Sequence, residues 1–323
     1  MRSTKIFMML GMAVVVLLAA GCEGFFLPYG ENGPAAYDGE LSWNREVADA
    51  PWSNRWDHAA VVFQDKIWVL GGYDPTQRGE RDSYMEDVWS SEDGISWTLV
   101  TDDAPWKGRR GHGVAVVGDY LFVFGGFVKD QETGEQGYRN DIWKSSDGVT
   151  WTEVLPSAPW RTRNNFGVAT VDDTVYIIGG RYNGVEFLDD VWKSTNTDLT
   201  GWTRITASAV YGKRGGLAAT ADDAGNIYIQ GGQYPDPQSA DDGREDPAVG
   251  GSWGRIWKLD TATGNWSSGA ESGAGTNMRM FHEIVFFSNR IWLLPGRSNA
   301  SLRFSNNPTK YATHVYDIGT NSW

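Results

Sequence analysis

Tryptophan recurs along this chain at Trp43, Trp97, Trp151, Trp202, Trp266 and Trp323, at intervals of 54, 54, 51, 64 and 57 residues. Two other marks keep the same step. Diglycines stand at Gly71-Gly72, Gly125-Gly126, Gly179-Gly180 and Gly231-Gly232, with Pro295-Gly296 in the fifth place, and an arginine returns as Arg55, Arg109, Arg163, Arg214 and Arg279. Three marks with one period mean one structural unit written repeatedly, and units of this length bury their apolar faces by stacking on their neighbours. In the second unit four strand-like runs are read, at 113–117, 120–124, 141–144 and 150–154. The first two are nearly continuous in Val, Phe and Leu, as strands covered on both faces are. Gly118-Asp119 between them is a hairpin turn. No amphipathic helical pattern follows the N-terminal apolar run. The chain is therefore read as all-β, a β-propeller of four-stranded antiparallel blades.

The marks resemble the kelch repeat, which has an Arg before its first strand, a diglycine closing the second, an aromatic in the third and a Trp in the fourth. Here the third-strand aromatics are Trp89, Trp143, Trp192, Trp257 and Tyr316. The resemblance covers 41–323 and implies a kelch-type propeller, the architecture also seen in the central domain of galactose oxidase. The glycines would let blades approach closely, and the large aromatics would fill the wedges between them. Ala-Pro-Trp triplets place Trp52, Trp106 and Trp160 just ahead of the Arg, where the same wedge role is expected. Ser91–Trp97 and Ser145–Trp151 resemble the Asp-box turn of sialidases with one residue fewer, so Asp93 and Asp147 are read as turn-makers.

Residues 41–47 read as a lone fourth strand, and the fifth unit supplies three strands before Trp323. Joining the two closes a ring of five blades. The duplicate marks Trp43 and Trp323 fit instead a six-bladed propeller truncated at its C-terminus. Five blades is the reading adopted, because an open ring exposes two sheet edges.

Alternating strand directions put the loops before strand one and those between strands two and three on one face. The latter run 73–86, 127–140, 181–189, 233–254 and 297–313, far longer than the hairpins opposite. Long loops on a rigid scaffold carry function. The recurrent arginines belong to the same face. They are read either as a ring that forks onto a carboxylate or phosphate, or as partners of neighbouring carboxylates and loop carbonyls. Arg110, Arg161 and Lys213 are not dictated by the period and make a basic rim on a chain of net charge −13. Tyr73, Tyr84, Phe127, Tyr138, Tyr182, Tyr234, Trp253 and Phe304 interleave with them. The candidate ligand-binding residues are therefore Arg55, Arg109, Arg110, Arg163, Arg214, Arg279, Tyr73, Tyr138, Tyr182 and Trp253.

At the N-terminus Arg2 and Lys5 precede an apolar run from Ile6 to Ala20, short of a membrane-spanning helix. The run ends in Leu18-Ala19-Ala20-Gly21-Cys22, which resembles the lipobox of bacterial lipoproteins, with Ala19 where that family prefers Leu, Val or Ile. The resemblance implies a signal peptide over 1–21, lipid on Cys22, a Gly- and Pro-rich tether over 22–40 and the propeller over 41–323. It places the protein at the bacterial cell envelope, anchored to membrane outside the cytoplasm, on the outer membrane or cell surface. Cleavage would remove Arg2 and Lys5 and leave 26 basic against 41 acidic side chains, a net charge of −15. Such a body is repelled by anionic lipid and hangs from its anchor.

The single Cys excludes a disulfide framework, a Cys-based zinc cluster and the Cys-linked Tyr that galactose oxidase chemistry requires with its copper. The acidic balance argues against nucleic acid. His58, His112 and His282 share one repeat position, but Phe166 and Leu217 fill it elsewhere, so neither a metal nor a cofactor is expected. The acidic loop 236–246 is read as solvated. No G-x-S-x-G elbow, H-E-x-x-H helix or phosphate loop is present, and no catalytic residue is assigned. The functional reading is a monomeric, lipid-anchored propeller that binds a glycan, a peptide or an envelope protein. The alternatives are an enzyme acting on an acidic sugar, like bacterial kelch proteins that interconvert sialic acid forms or like sialidases, and a structural envelope scaffold.

Overall fold

A computed structural model describes residues 50–323, apart from 75, 77–82, 131–132, 234–254, 272–278, 281, 295–296 and 299–313. Before residue 50 it describes only the pairings of Lys5–Leu10 with Ala13–Leu18 and of Tyr29–Gly30 with Gly33–Pro34. Cys22, the expected strand at 41–47, Trp253 and the acidic loop 236–246 lie outside the described residues.

The repeat folds as a β-propeller of five blades. Blade 1 is the meander Ala59–Phe63, Lys66–Tyr73, Tyr84–Ser91 and Thr98–Thr101. Blade 2 is Gly113–Val117, Tyr120–Lys129, Gln136–Ser145 and Thr152–Leu155. Blade 3 is Gly167–Val171, Thr174–Tyr182, Glu186–Ser194 and Trp202–Thr206. Blade 4 is Gly215–Ala221, Asn226–Gln233, Arg255–Asp260 and Asn265–Glu271. Ile284–Phe287, Arg290–Leu293 and His314–Asp317 form the described part of blade 5, and beside them Arg279–Met280 pairs with Arg297–Ser298. The first strands follow one another around the ring in chain order. The hairpins that join strands one and two need positive φ, and Gln64-Asp65, Asp172-Asp173 and Ser288-Asn289 supply it at both central residues.

The apolar core lies between blades rather than within them. Phe122, Phe124 and Ile142 of blade 2 pack with Phe166, Val175 and Ile177 of blade 3, and equivalent clusters join the other consecutive blades. The wedge aromatics work in edge-on pairs. Trp52 meets Trp97 at 4.3 Å, Trp106 meets Trp151 at 6.0 Å, Trp160 meets Trp202 at 6.0 Å and Tyr211 meets Trp266 at 4.8 Å. In each of the first three pairs the fourth-strand indole also donates to a carbonyl of the preceding turn, at Gly94, Gly148 and Leu199. Asp93 and Asp147 accept from the backbone N–H groups of the two Ser-x-Asp-Gly turns, in keeping with a turn-making role.

At the diglycines the first glycine approaches the backbone of the next blade, as Gly71, Gly125 and Gly179 do to the carbonyls of Arg109, Arg163 and Arg214, and the second packs against the segment ahead of its own blade's first strand. Gly125 and Gly126 have φ of +49° and +94°, and a Cβ on Gly126 would stand 2.8 Å from the Cβ of His112. The ladder shifts register at each of the first three diglycines and then resumes. The expected loops at 127–140 and 181–189 are therefore largely β-ribbon. Strand two of blade 2 continues to Lys129 and strand three starts at Gln136, and in blade 3 only 183–185 separate the two strands. The β-bulge absorbs the glycines' positive φ without ending the strand.

Candidate functional site

The recurrent arginines are latches. Arg55, Arg109 and Arg163 are buried and fork bidentately onto Asp87, Asp141 and Asp190, at 2.6 and 2.8 Å, 3.0 and 2.9 Å, and 2.8 and 2.9 Å. Each Nη1 also donates to the carbonyl of the first diglycine residue, at Gly71, Gly125 and Gly179. The same carboxylates accept from the third-strand indoles of Trp89, Trp143 and Trp192. Burial alone pushes the carboxyls of Asp141 and Asp190 upward, but Arg109 and Arg163 outweigh it and hold both below the ordinary range. Arg214 donates to the carbonyls of Gly231 and Tyr211, and in blade 4 Arg255 stands where blades 1 to 3 have Asp. The ligand ring drawn through Arg55, Arg109, Arg163 and Arg214 is corrected on this point: these guanidinium groups are consumed inside the blades. Arg279 is placed by its backbone alone, paired with Ser298. The sequence reading missed the acceptors, although Asp-x-Trp at 87–89, 141–143 and 190–192 keeps the period.

The histidines are spacers. His58 and His112 press on Gly72 and Gly126 of their own blades, and Phe166 and Leu217 do the same at Gly180 and Gly232. Burial, with Arg55 beside His58 and Arg109 beside His112, lowers their pKa to about 4 and about 3. Among the described residues no group of three or more His, Cys, Asp or Glu converges as a metal site would require.

What the long-loop face presents is a ledge of aromatic rings, built by register. Beyond the diglycines Tyr73 pairs across the ladder with Tyr84, and Phe127 with Tyr138. The segment ahead of each first strand adds a third position, because Trp56 bridges to Tyr73 and Arg110 pairs with Phe127. Each of the first two blades thus carries a row of three side chains at one height: Trp56, Tyr73 and Tyr84, then Arg110, Phe127 and Tyr138. Cross-strand neighbours of this kind lie close enough for ring contact. Ring centroids are 5.8 Å apart for Trp56–Tyr73, 4.9 Å for Tyr73–Tyr84, 5.7 Å for Tyr84–Phe127 and 5.0 Å for Phe127–Tyr138, so the belt crosses from blade 1 to blade 2 unbroken. Arg110 sits inside it, 5.3 Å from the Tyr73 ring and 5.8 Å from those of Tyr84 and Phe127. On blade 3 Arg161 lies 3.8 Å over Tyr182 and forks onto Glu186. Trp56 is 45% exposed, the most open ring of the belt. Of the residues singled out in the sequence, Tyr73, Arg110 and Tyr138 come together here, and Tyr182 lies on the neighbouring blade. Trp56 is absent from the sequence candidates because it stands beside the recurrent Arg55 rather than in a long loop.

Blades closed by Arg–Asp–Trp latches and diglycine bulges define a kelch-type propeller. The chain belongs to the kelch-repeat family, since the model described as the KLHDC2/KLHL20/DRC7 Kelch-repeats domain matches residues 39–232. It is similar to Kelch domain-containing protein 3 of Rattus norvegicus, 29% identical over 244 residues, covering 71% of this chain and 59% of the rat protein. The Kelch-like protein terF of Aspergillus terreus is 30% identical over 237 residues, 68% of this chain and 47% of that protein. A Xyloglucanase of a Paenibacillus species is 29% identical over 207 residues, 54% of this chain and 18% of that protein. The chain thus spans about 59% of the length of the rat relative and less of the other two.

Proposed function

We propose that this kelch propeller is a binding module that holds a protein partner on its long-loop face, at the ledge from Trp56 to Tyr138. Kelch propellers are in general protein-interaction scaffolds, and the observation that carries the reading here is the unbroken aromatic belt with an arginine set in it. Trp, Tyr and Arg are the residue types that concentrate binding energy at protein interfaces. The likeness to a Xyloglucanase favours a sugar as the second reading. The ring geometry weighs against it: although Trp56, 45% exposed, stacks on Tyr73 at 25°, from Tyr73 to Tyr138 successive rings meet at 62°, 41° and 76° and cover one another, whereas a sugar stacks on an open face. The lipobox-like run ending at Cys22 adds that the module is held by lipid at the bacterial envelope, outside the cytoplasm.

Photo-crosslinking tests the face. A benzoylphenylalanine at position 56 is expected to give a discrete adduct in cells. The same group at Tyr120, in the hairpin on the opposite face, is expected to give none. Equal labelling from both positions, or none from 56, sinks the proposal.

A further inference from the structure

We propose that a polar cavity on the hairpin face of blade 3, opposite the ledge, is a second binding site, and that it takes one neutral sugar unit. The site is independent of the protein-binding reading above.

The cavity measures about 440 Å³, within the range of about 300–1,000 Å³ common to small-molecule sites. It opens between two walls. One is the hairpin Asp172-Asp173, where both residues have positive φ and Asp173 accepts from the backbone N–H of Gly118 in blade 2 at 3.1 Å. The other is the end of the third strand with the turn after it, from Lys193 to Thr197. From third-strand to fourth-strand Trp the chain takes eight steps in blades 1 and 2, but ten in blade 3, from Trp192 to Trp202. Asn196 closes this longer turn on itself, since its amide donates to Thr200 at 2.8 Å and accepts from the N–H of Gly201 at 3.1 Å. Leu199 anchors the turn in the core between blades 2 and 3. Both walls are thus fixed by the fold. At the back stands Tyr176, in the place of Trp68 of blade 1. Gly148 of the next blade packs on Trp68, whereas Tyr176 meets the next blade through the hydroxyl of Thr261. The smaller ring and the different neighbour leave this corner unfilled.

The polar groups of the cavity are uncommitted. The repeat equivalents of Lys193 are spent on rings, with Lys144 4.9 Å from Tyr120 and Lys258 5.8 Å from Tyr228. Lys193 is half-buried and has neither ring nor carboxylate against its ammonium among the described residues. The carboxylate of Asp172 and the hydroxyls of Thr174, Thr195 and Thr197 have no hydrogen bond among the described residues either. These groups select one class of ligand. A sugar hydroxyl donates to a carboxylate and accepts from an ammonium or a threonine, so this set meets a hydroxyl-rich ring with both donors and acceptors. Asp172 and Asp173 repel an anion, Lys193 repels a cation, and only the Tyr176 ring is offered to an apolar molecule.

The test uses the full-length chain in a detergent without a sugar headgroup. Saturation-transfer NMR is run against glucose, galactose, mannose, xylose and their methyl glycosides, with glucose phosphate and glucosamine as charged controls, and binders are titrated by calorimetry. At least one neutral sugar is expected to bind with a Kd of about 1 mM, as suits a small polar ligand. Lys193→Met and Asp172→Asn are each expected to weaken it roughly 10-fold or more, with the thermal unfolding midpoint in place. Lys144→Met, the same change on blade 2, is expected to leave it unaltered. A methyl glycoside that binds like its free sugar points to a glycan end, and a free sugar that binds without its glycoside points to a soluble source; both support the site. No binding by any neutral sugar, tighter binding of a charged control, or binding untouched by the two cavity variants would overturn the inference. Such failures with the photo-adduct at position 56 intact leave the protein-binding reading standing, whereas sugar binding lost in Trp56→Ala instead would overturn both. A single sugar unit adds no protein-sized adduct, so position 120 remains a valid control for the crosslinking.

Discussion

A single position in the repeat shows how a residue can be constrained without being functional. His58, His112, Phe166 and Leu217 occupy one place against the second glycine of blades 1 to 4, where any compact side chain of fair size serves. The imidazole brings one property the apolar occupants lack, a proton it accepts less readily when folded than when unfolded. The folded pKa values, about 4 for His58 and about 3 for His112, lie below the unfolded value of 6.5, so the unfolded chain binds more protons between them. Stability is therefore complete above pH 6.5 and falls as the pH drops toward 4, by up to about 1.4 kcal/mol per pH unit for each histidine. The groups facing these rings are Arg55 and Asp87 at His58, and Arg109 at His112 with His58 itself. His112→Phe, which copies blade 3, is expected to lose about half of that slope. Urea denaturation of parent and variant at pH 7.5, 6 and 5 measures it, and parallel pH dependences would show that His112 is not the group responsible. Comparing the two proteins cancels the other titrating groups.

At the scale of elements, the strands and their order were legible because three marks kept one period. The latch is half legible: the arginines keep the period openly, whereas their acceptors sit two residues before a Trp whose own periodicity is the stronger mark. Thus Arg109 and Arg163 read as ligand candidates until Asp141 and Asp190 were placed beside them. The ledge was legible as a set of loop aromatics and illegible as an arrangement. Tyr73 meets Tyr84, and Phe127 meets Tyr138, only because the ladder resumes after a one-residue shift at the diglycine, and local sequence does not encode that register. The latch has its own consequence. Arg163→Ala leaves Asp190, with a side chain 11% exposed, without its counter-ion. Removing one partner of a buried pair costs about 3–5 kcal/mol, so the urea midpoint is expected to drop sharply. An unchanged midpoint would return Arg163 to the list of surface-acting residues.

The whole molecule combines a strongly acidic body with an aromatic ledge that holds Arg110, and the lipid anchor proposed above would bear on what that combination does. If residues 1–21 are removed and Cys22 is lipidated, the remaining chain, tether included, carries a net charge of −15 beside a membrane that is itself negative. Repulsion then holds the body off the bilayer, and a tether over 22–40 gives it reach, so the ledge is left free for partners rather than for lipid. A single acyl chain binds a bilayer only marginally, so firm retention requires the multiple chains that lipoprotein processing attaches. Cys22→Ser is accordingly expected to move the protein from the detergent phase to the aqueous phase on Triton X-114 partitioning. Incorporation of labelled palmitate should be lost with it, and the thermal midpoint of the propeller should not change. Detergent-phase partitioning that survives Cys22→Ser would place the membrane attachment in the uncleaved apolar run from Ile6 to Ala20, and a parent protein that stays aqueous would remove the anchor altogether.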